Sequence, residues 1–213
     1  MHTSMTVDQT RQMFIHLAKE MVASKDLLTH ADQAVGDGDH GIGIARGFEA
    51  VQAKLETQKF ETIDDILKTI GFTLINTIGG AAGAVFGTFF AGGAKNLPKR
   101  DTLDSTLLSQ LPIDGMAAVQ QRGKAKPGDK TMLDALFPAA EASKLHLDAP
   151  LAESLAAVAE AAKAGMEKTK DMIATVGKAK ALGERSRGHI DPGAITTYLM
   201  LKCMSEYQEL NNE

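Results

Sequence analysis

Apolar residues recur three and four positions apart along almost the whole chain, and almost nowhere do they alternate with period two. That pattern restricts the fold to packed helices. Phe14, Leu17 and Met21 mark one helical face. Ile63, Ile66, Leu67, Ile70, Leu74 and Ile78 mark another, Met132, Leu133, Leu136 and Phe137 a third, and Leu151, Leu155, Val158 and Met166 a fourth. Start signals precede these runs. They are Thr6 with Gln9, Thr62 with Asp65, Asp129, Pro150 and the Asp191-Pro192 pair. Further helices are expected over 43–56 and 84–94, and over 103–121, where Pro112 and Gly115 interrupt. Pro138 is expected to kink its helix, and the last helix runs from Asp191-Pro192 to about Leu210. The count comes to about eight. With no tandem repeat and no long linker, residues 1–213 read as one all-α domain of mostly antiparallel helices.

The composition suits a globular protein. A chain of 213 residues, 44% hydrophobic and 23% charged, can bury a full core. A net charge of −4 argues against nucleic acid as the main partner. The single cysteine, Cys203, excludes an intramolecular disulfide and fits a reducing, cytoplasmic compartment, where it reads as a small buried hydrophobe. Residues 1–14 lack the apolar core of a signal peptide. Residues 69–94 carry no formal charge and are long enough to span a bilayer. Gly79-Gly80 divides that stretch, and seven glycines with several threonines dilute it, so two consecutive buried helices are expected and no membrane partner.

Chemistry concentrates in the loops. In Gly36-Asp37-Gly38-Asp39-His40-Gly41, Asp37 and Asp39 project the same way from an extended backbone, and Asp32 lies just upstream. Carboxylates so placed can hold one hard cation, while the glycines let backbone N–H groups approach a ligand. Three more glycine-bearing loops follow, Gly79-Gly80-Ala81-Ala82-Gly83, then 122–130, then 177–193. In an up-and-down bundle alternate junctions share one end, and these four fall at alternate junctions. Lys124, Lys126, Lys178, Lys180, Arg185 and Arg187 can supply positive charge there. Divalent ions plus a cationic clamp are what phosphoryl transfer requires, and a helix starting near Gly43 would aim its N-terminus at phosphates.

Each element alone has a plainer reading. Asp-Gly-Asp is often a turn, loop lysines are usually solvated, and Gly79-Gly80 can simply stop a helix. His40 and His189 can be turn and cap residues. His2, His16, His30 and His146 lack metal-ligand spacing, and the ten methionines read as core filler. An EF-hand starting at Asp37 fails, because Ile42 stands where glycine is needed and Phe48 where an acid is needed. Walker-type and protein-kinase glycine motifs are absent.

Taken together, Gly36-Asp37-Gly38-Asp39-His40-Gly41, Arg46-Gly47-Phe48, Gly79-Gly80-Ala81, Phe86-Gly87-Thr88-Phe89-Phe90, Arg122-Gly123-Lys124-Ala125, Pro127-Gly128-Asp129-Lys130-Thr131-Met132, Leu182-Gly183-Glu184-Arg185-Ser186 and Gly188-His189-Ile190-Asp191-Pro192-Gly193 resemble the nucleotide-binding L subunit of dihydroxyacetone kinases. The resemblance implies a closed barrel of eight antiparallel helices with the nucleotide, ADP or ATP, at one end on two Mg²⁺ ions. It implies Asp32, Asp37 and Asp39 as metal ligands and His40, Gly41, Ile42 and Gly43 along the phosphates. Ala81 and Ala82 would line the phosphate side, Gly123 and Met132 would border the adenine, and Lys178 with Asp191, Pro192 and Gly193 would close the site. It further implies a K subunit that holds dihydroxyacetone, or a related short ketose, covalently. In one branch a phosphotransferase-system protein rephosphorylates bound ADP. The chain departs from the family pattern at Ala82, commonly Ser, at Gly43, commonly Asn, and at Lys178, commonly Arg. A non-catalytic nucleotide sensor derived from the family is the other reading.

Overall fold

The computed structural model describes residues 4–211, and among them the chain is a ring of α-helices. Strand β1 (Ser4–Thr6) leads into α1 (Val7–Ala23), α2 (Lys25–Gln33), α3 (His40–Thr57), α4 (Ile63–Ile78) and α5 (Gly80–Gly93). Strand β2 (Thr102–Asp104) precedes α6 (Ser105–Gly123), α7 (Met132–Leu145), α8 (Leu151–Lys168) and α9 (Pro192–Leu210). Apart from α2, each helix packs on the next along the chain, α1 lies on α3, and α9 returns to α1, which closes the barrel. Helix α2 lies outside the ring, against α3 and α9.

Except that Phe137 is exposed and Met166 packs with Ala135 and Ala194 in a small separate cluster, the apolar stripes face one interior. Phe14, Phe48, Phe86, Phe89 and Phe90 are completely enclosed there. Phe14 meets Phe90 edge-on at 6.0 Å, and Phe89 meets Phe90 at 5.0 Å. The uncharged stretch 69–94 becomes the antiparallel pair α4–α5, turned at Gly79 with φ 77°. A side chain on Gly71 would come within 2.6 Å of the Ala91 amide, and one on Gly87 within 2.6 Å of the Gly71 carbonyl. The glycines there allow backbone-to-backbone packing. No helix of the described residues is long and apolar enough to cross a membrane.

Local details differ from the sequence expectations, each for a physical reason. The first helical run splits at Ser24, whose backbone (φ −80°, ψ 3°) leaves the helical region between α1 and α2. Asp129 does not cap α7. Thr131 does, in a capping box with Asp134. Thr62 makes no side-chain cap to α4, where the Ile63 amide donates to the Arg100 carbonyl at 2.8 Å instead. Strand pairing exists in one small place, with Met5 opposite Leu103, so α6 begins at Ser105 rather than at Leu103. The Thr6–Gln9 capping box and the Asp191 cap with Pro192 in the first turn form as the sequence indicates.

Candidate functional site

Four helix starts, those of α3, α5, α7 and α9, meet around one cavity of about 590 Å³. Its wall takes His40, Ile42 and Gly43 from α3, Gly80, Ala81 and Ala82 from α5, and Met132 and Leu133 from α7. Pro192 and Gly193 come from α9, Val119 and Gly123 from the end of α6, and Gly177, Lys178 and Asp191 from the α8–α9 connection. Asp32 and Asp39 also reach the wall. Gly41 does not. It faces α2, where the Lys25 carbonyl and Thr29 leave no room for a side chain.

The acidic loop brings its carboxylates together. Asp32, Asp37 and Asp39 each offer one oxygen, all within 4.8 Å of one another. Asp32 is buried in the last turn of α2, where its Oδ2 accepts from the His40 amide at 3.2 Å. Gly38, with φ 80°, makes the turn that sets the exposed Asp37 and Asp39 beside it. Lys178 reaches across from the α8–α9 connection. Its Nζ donates to both oxygens of Asp37 at 2.8 and 2.6 Å and to Asp39 at 2.9 Å. These bonds hold Asp37 below the usual carboxylate range and Lys178 above the usual amine range. An ammonium held between acids marks a place where positive charge is stable, and three hard oxygen donors with solvent access suit a divalent cation such as Mg²⁺. Of the six loop cations named from sequence, Lys178 is the one bonded to these acids.

His40 fixes the start of α3. The Thr196 hydroxyl donates to the Pro192 carbonyl at 3.0 Å, so it accepts from His40 Nε2 at 2.8 Å. Burial lowers the His40 pKa against the pull of Asp32 and Asp39, and the ring is neutral at pH 7. Asp191 caps α9 by accepting from the Ala194 amide at 2.8 Å, and burial raises its carboxyl to about 7.

Two cavity residues carry more than the sequence revealed. Arg46 donates to the Thr77 carbonyl at 2.8 Å and to the Ile78 carbonyl, so it satisfies the end of α4 beside the cavity. Its position one turn after Gly43 was the available signal. Lys130 is buried at 2% exposure and donates to the Thr169 and His189 carbonyls. A lysine between Asp129 and Thr131 in a polar turn gives no sequence sign of burial.

The starts of α7 and α9 are capped by Thr131 and Asp191, whereas those of α3 and α5 have no side-chain cap. Open helix starts beside a cation-competent acid cluster can receive an anion that carries its own metal.

Comparison with known proteins identifies the family and the fold. The DAK2 domain model matches residues 34–206. The chain is 41% identical over 184 residues to the ADP-binding subunit DhaL of the PEP-dependent dihydroxyacetone kinase of Escherichia coli strain K12, covering 84% of this chain and 87% of that one. It is 38% identical over 181 residues to the corresponding subunit of kinase 1 of Listeria innocua, covering 85% and 86%. The crystal structure of the C. freundii dihydroxyacetone kinase superposes with a TM-score of 0.72 at 26% identity, over 92% of this chain and 34% of that larger one. The helical barrel is therefore shared. The chain belongs to the DAK2-domain family, the kinase family that includes the ADP-binding subunits of dihydroxyacetone kinases.

Proposed function

We propose that this chain is the nucleotide-binding subunit of a cytoplasmic dihydroxyacetone-type kinase. It passes a phosphoryl group from a Mg²⁺-bound nucleotide to dihydroxyacetone, or a related short ketose, held covalently on a partner K subunit. The observation that carries the reading is the cluster of Asp32, Asp37 and Asp39, with Asp32 and Asp39 on the wall of a cavity into which two helix starts without side-chain caps open. The relatives named as ADP-binding subunits support it.

In this reading Asp32, Asp37 and Asp39 hold the metal, two ions by family resemblance. Bound Mg²⁺ supplies neutralisation of the phosphate charge. His40, Ile42 and Gly43 would lie along the phosphates, and Ala81 and Ala82 would line the phosphate side of the pocket. Gly123 and Met132 border the base. Lys178 and the Asp191–Gly193 turn close the site. Gly41 acts indirectly, by letting α3 sit close against α2. No general base is assigned on this chain. Its residues bind, orient and shield, which is most of what phosphoryl transfer asks of a protein. The nucleotide is either ATP turned over as substrate or ADP rephosphorylated in place by a phosphotransferase-system donor.

Titration calorimetry with Mg²⁺–ADP, followed by a coupled assay with the ketose-holding subunit, tests the proposal. Absence of nucleotide binding, or binding without phosphorylated ketose, ends it. The latter result belongs to a second reading, a non-catalytic nucleotide sensor. Ala82, which brings no hydroxyl to the open start of α5, is the observation that favours it. Mass spectrometry of copurifying nucleotide separates retained ADP from exchanging ATP.

A further inference from the structure

Lys130 is a buried cation on the cavity wall that is not bonded to the acid cluster. We infer that Lys130 is a positioning residue: its ammonium ties the two ends of the 169–191 segment together and so sets Lys178 against Asp37 and Asp39. The inference rests on the proposed function for its binding consequences.

Lys130 is 2% exposed, although lysine is seldom buried unless its charge is paired. Its φ of 61° is left-handed, a backbone conformation unfavourable to a long side chain. Asp191, Asp134 and Asp171 are near enough to attract the charge, but none of them is hydrogen-bonded to the ammonium. The Asp134 carboxylate accepts from the Gly128 and Thr131 amides, and Asp191 accepts from the Ala194 amide. The ammonium instead donates to the Thr169 carbonyl, where the segment leaves α8, and to the His189 carbonyl, where it approaches α9. A neutral side chain of similar size would fill the space without burying a charge. What it would lose is this two-ended tie.

The rest of the segment is built around that tie. At its base the Gly188 amide donates to the Lys170 carbonyl at 2.8 Å, and the Asp191 amide donates to the Thr169 hydroxyl at 3.0 Å. The neighbouring Asp129 holds Thr175, through a 2.6 Å bond from the hydroxyl and a 3.3 Å bond from the amide. Beyond Thr175 the segment is turned at Gly177 (φ 68°) and Gly183 (φ 53°), with open space around both α-carbons. Lys178 lies between those two turns, and its ammonium donates to both oxygens of Asp37 and to Asp39. A fixed base with a glycine-flanked tip makes the position of Lys178 depend on the base. Lys130 ties both ends of that base.

Peptide-resolved hydrogen exchange and Mg²⁺–ADP calorimetry on Lys130→Met, Lys178→Ala and the double variant test this. Lys130→Met is expected to raise exchange over 169–191 while α4 and α5 stay protected, and to weaken Mg²⁺–ADP by about tenfold or more. In the Lys178→Ala background it is expected to add little, because residues acting through one contact are not additive. Unchanged exchange over 169–191, a uniform rise along the whole chain, or a full additional loss in the Lys178→Ala background each overturns the inference. If Lys130→Met does not fold, Lys130→Gln is read by the same criteria, since its side chain is polar but uncharged and one atom shorter than the one whose nitrogen meets both carbonyls. Wild-type protein that binds no Mg²⁺–ADP overturns the functional reading instead, and exchange over 169–191 in the ligand-free variants still decides this one.

Discussion

The four helix starts around the cavity form two unlike halves. Helices α7 and α9 satisfy their first amides from within the chain, through Thr131 and Asp191. Helix α5 has no side-chain cap, and α3 has none from its own N-cap residue but only the Asp32 carboxylate on its His40 amide, although both open on the same space. All four began with the same need, because the first turn of any helix leaves amides without intrahelical acceptors. The self-capped half also holds Lys130 and the base of the 169–191 segment. The open half holds the carboxylate cluster. One half is therefore self-contained, and in the proposed function the other is completed by the bound nucleotide.

That contrast predicts where ligand matters. The largest effect is expected at Asp37→Asn. A ligand present at about 100 times its dissociation constant stabilises a protein by about 2.7 kcal/mol. Thermal unfolding of wild type with Mg²⁺–ADP should show a gain of that order, and Asp37→Asn should show none. Ligand-free stability should change little, since Asp37 is exposed and its partner Lys178 is exposed too. A variant that keeps the ligand-dependent gain would break the comparison.

The capped half should respond to pH instead. Asp191 titrates at about 7 in the folded protein, above the ordinary carboxylate value, because burial disfavours its charge. The folded state then binds the proton more tightly than the unfolded chain. Its contribution is fully present below about pH 4 and is lost as pH rises to about 7. Asp191→Asn should flatten that decline in unfolding curves taken across the range. An unchanged slope would mean that another group carries it.

Thr131→Ala comes next. Removing one side of the capping box should cost about 1 kcal/mol. The loss should be equal with and without Mg²⁺–ADP, measured by denaturant unfolding. A loss confined to the ligand-bound protein would place Thr131 in the open half.

The same division explains what the sequence disclosed. Helical periodicity depends on residues three and four apart, so Ile63 to Ile78 and Leu151 to Met166 announce themselves, and with them the all-α class. The acidic loop is legible for a similar reason, since Asp37, Gly38 and Asp39 are neighbours in the chain. The break at Ser24 between α1 and α2 rests on one backbone turn that leaves the helical periodicity on either side intact. Features that depend on distant partners were also hidden. The β1–β2 pair joins Met5 to Leu103 across nearly half the chain. Lys130 acquires its setting only when residues 169 and 189 fold over it. Gly41 looked like a member of the acid loop, but the approach of α2 determines its place.

The smallest expected effect tests the open half most directly. Ala82 lies in the first turn of α5, half-buried on the cavity wall. A hydroxyl there would face the space assigned to phosphate. Ala82→Ser should tighten Mg²⁺–ADP binding by about 0.5–1.5 kcal/mol, the usual net value of one added hydrogen bond, or roughly two- to tenfold. Calorimetry measures the affinity, and thermal unfolding without ligand supplies the control. The two readings of an uncapped helix start diverge here. If the hydroxyl serves a ligand, affinity rises and ligand-free stability stays level. If α5 merely lacked an intramolecular partner, the serine would stabilise the ligand-free protein and leave affinity alone. In that case the difference between α5 and the capped helices would be one of helix ends, with no bearing on binding.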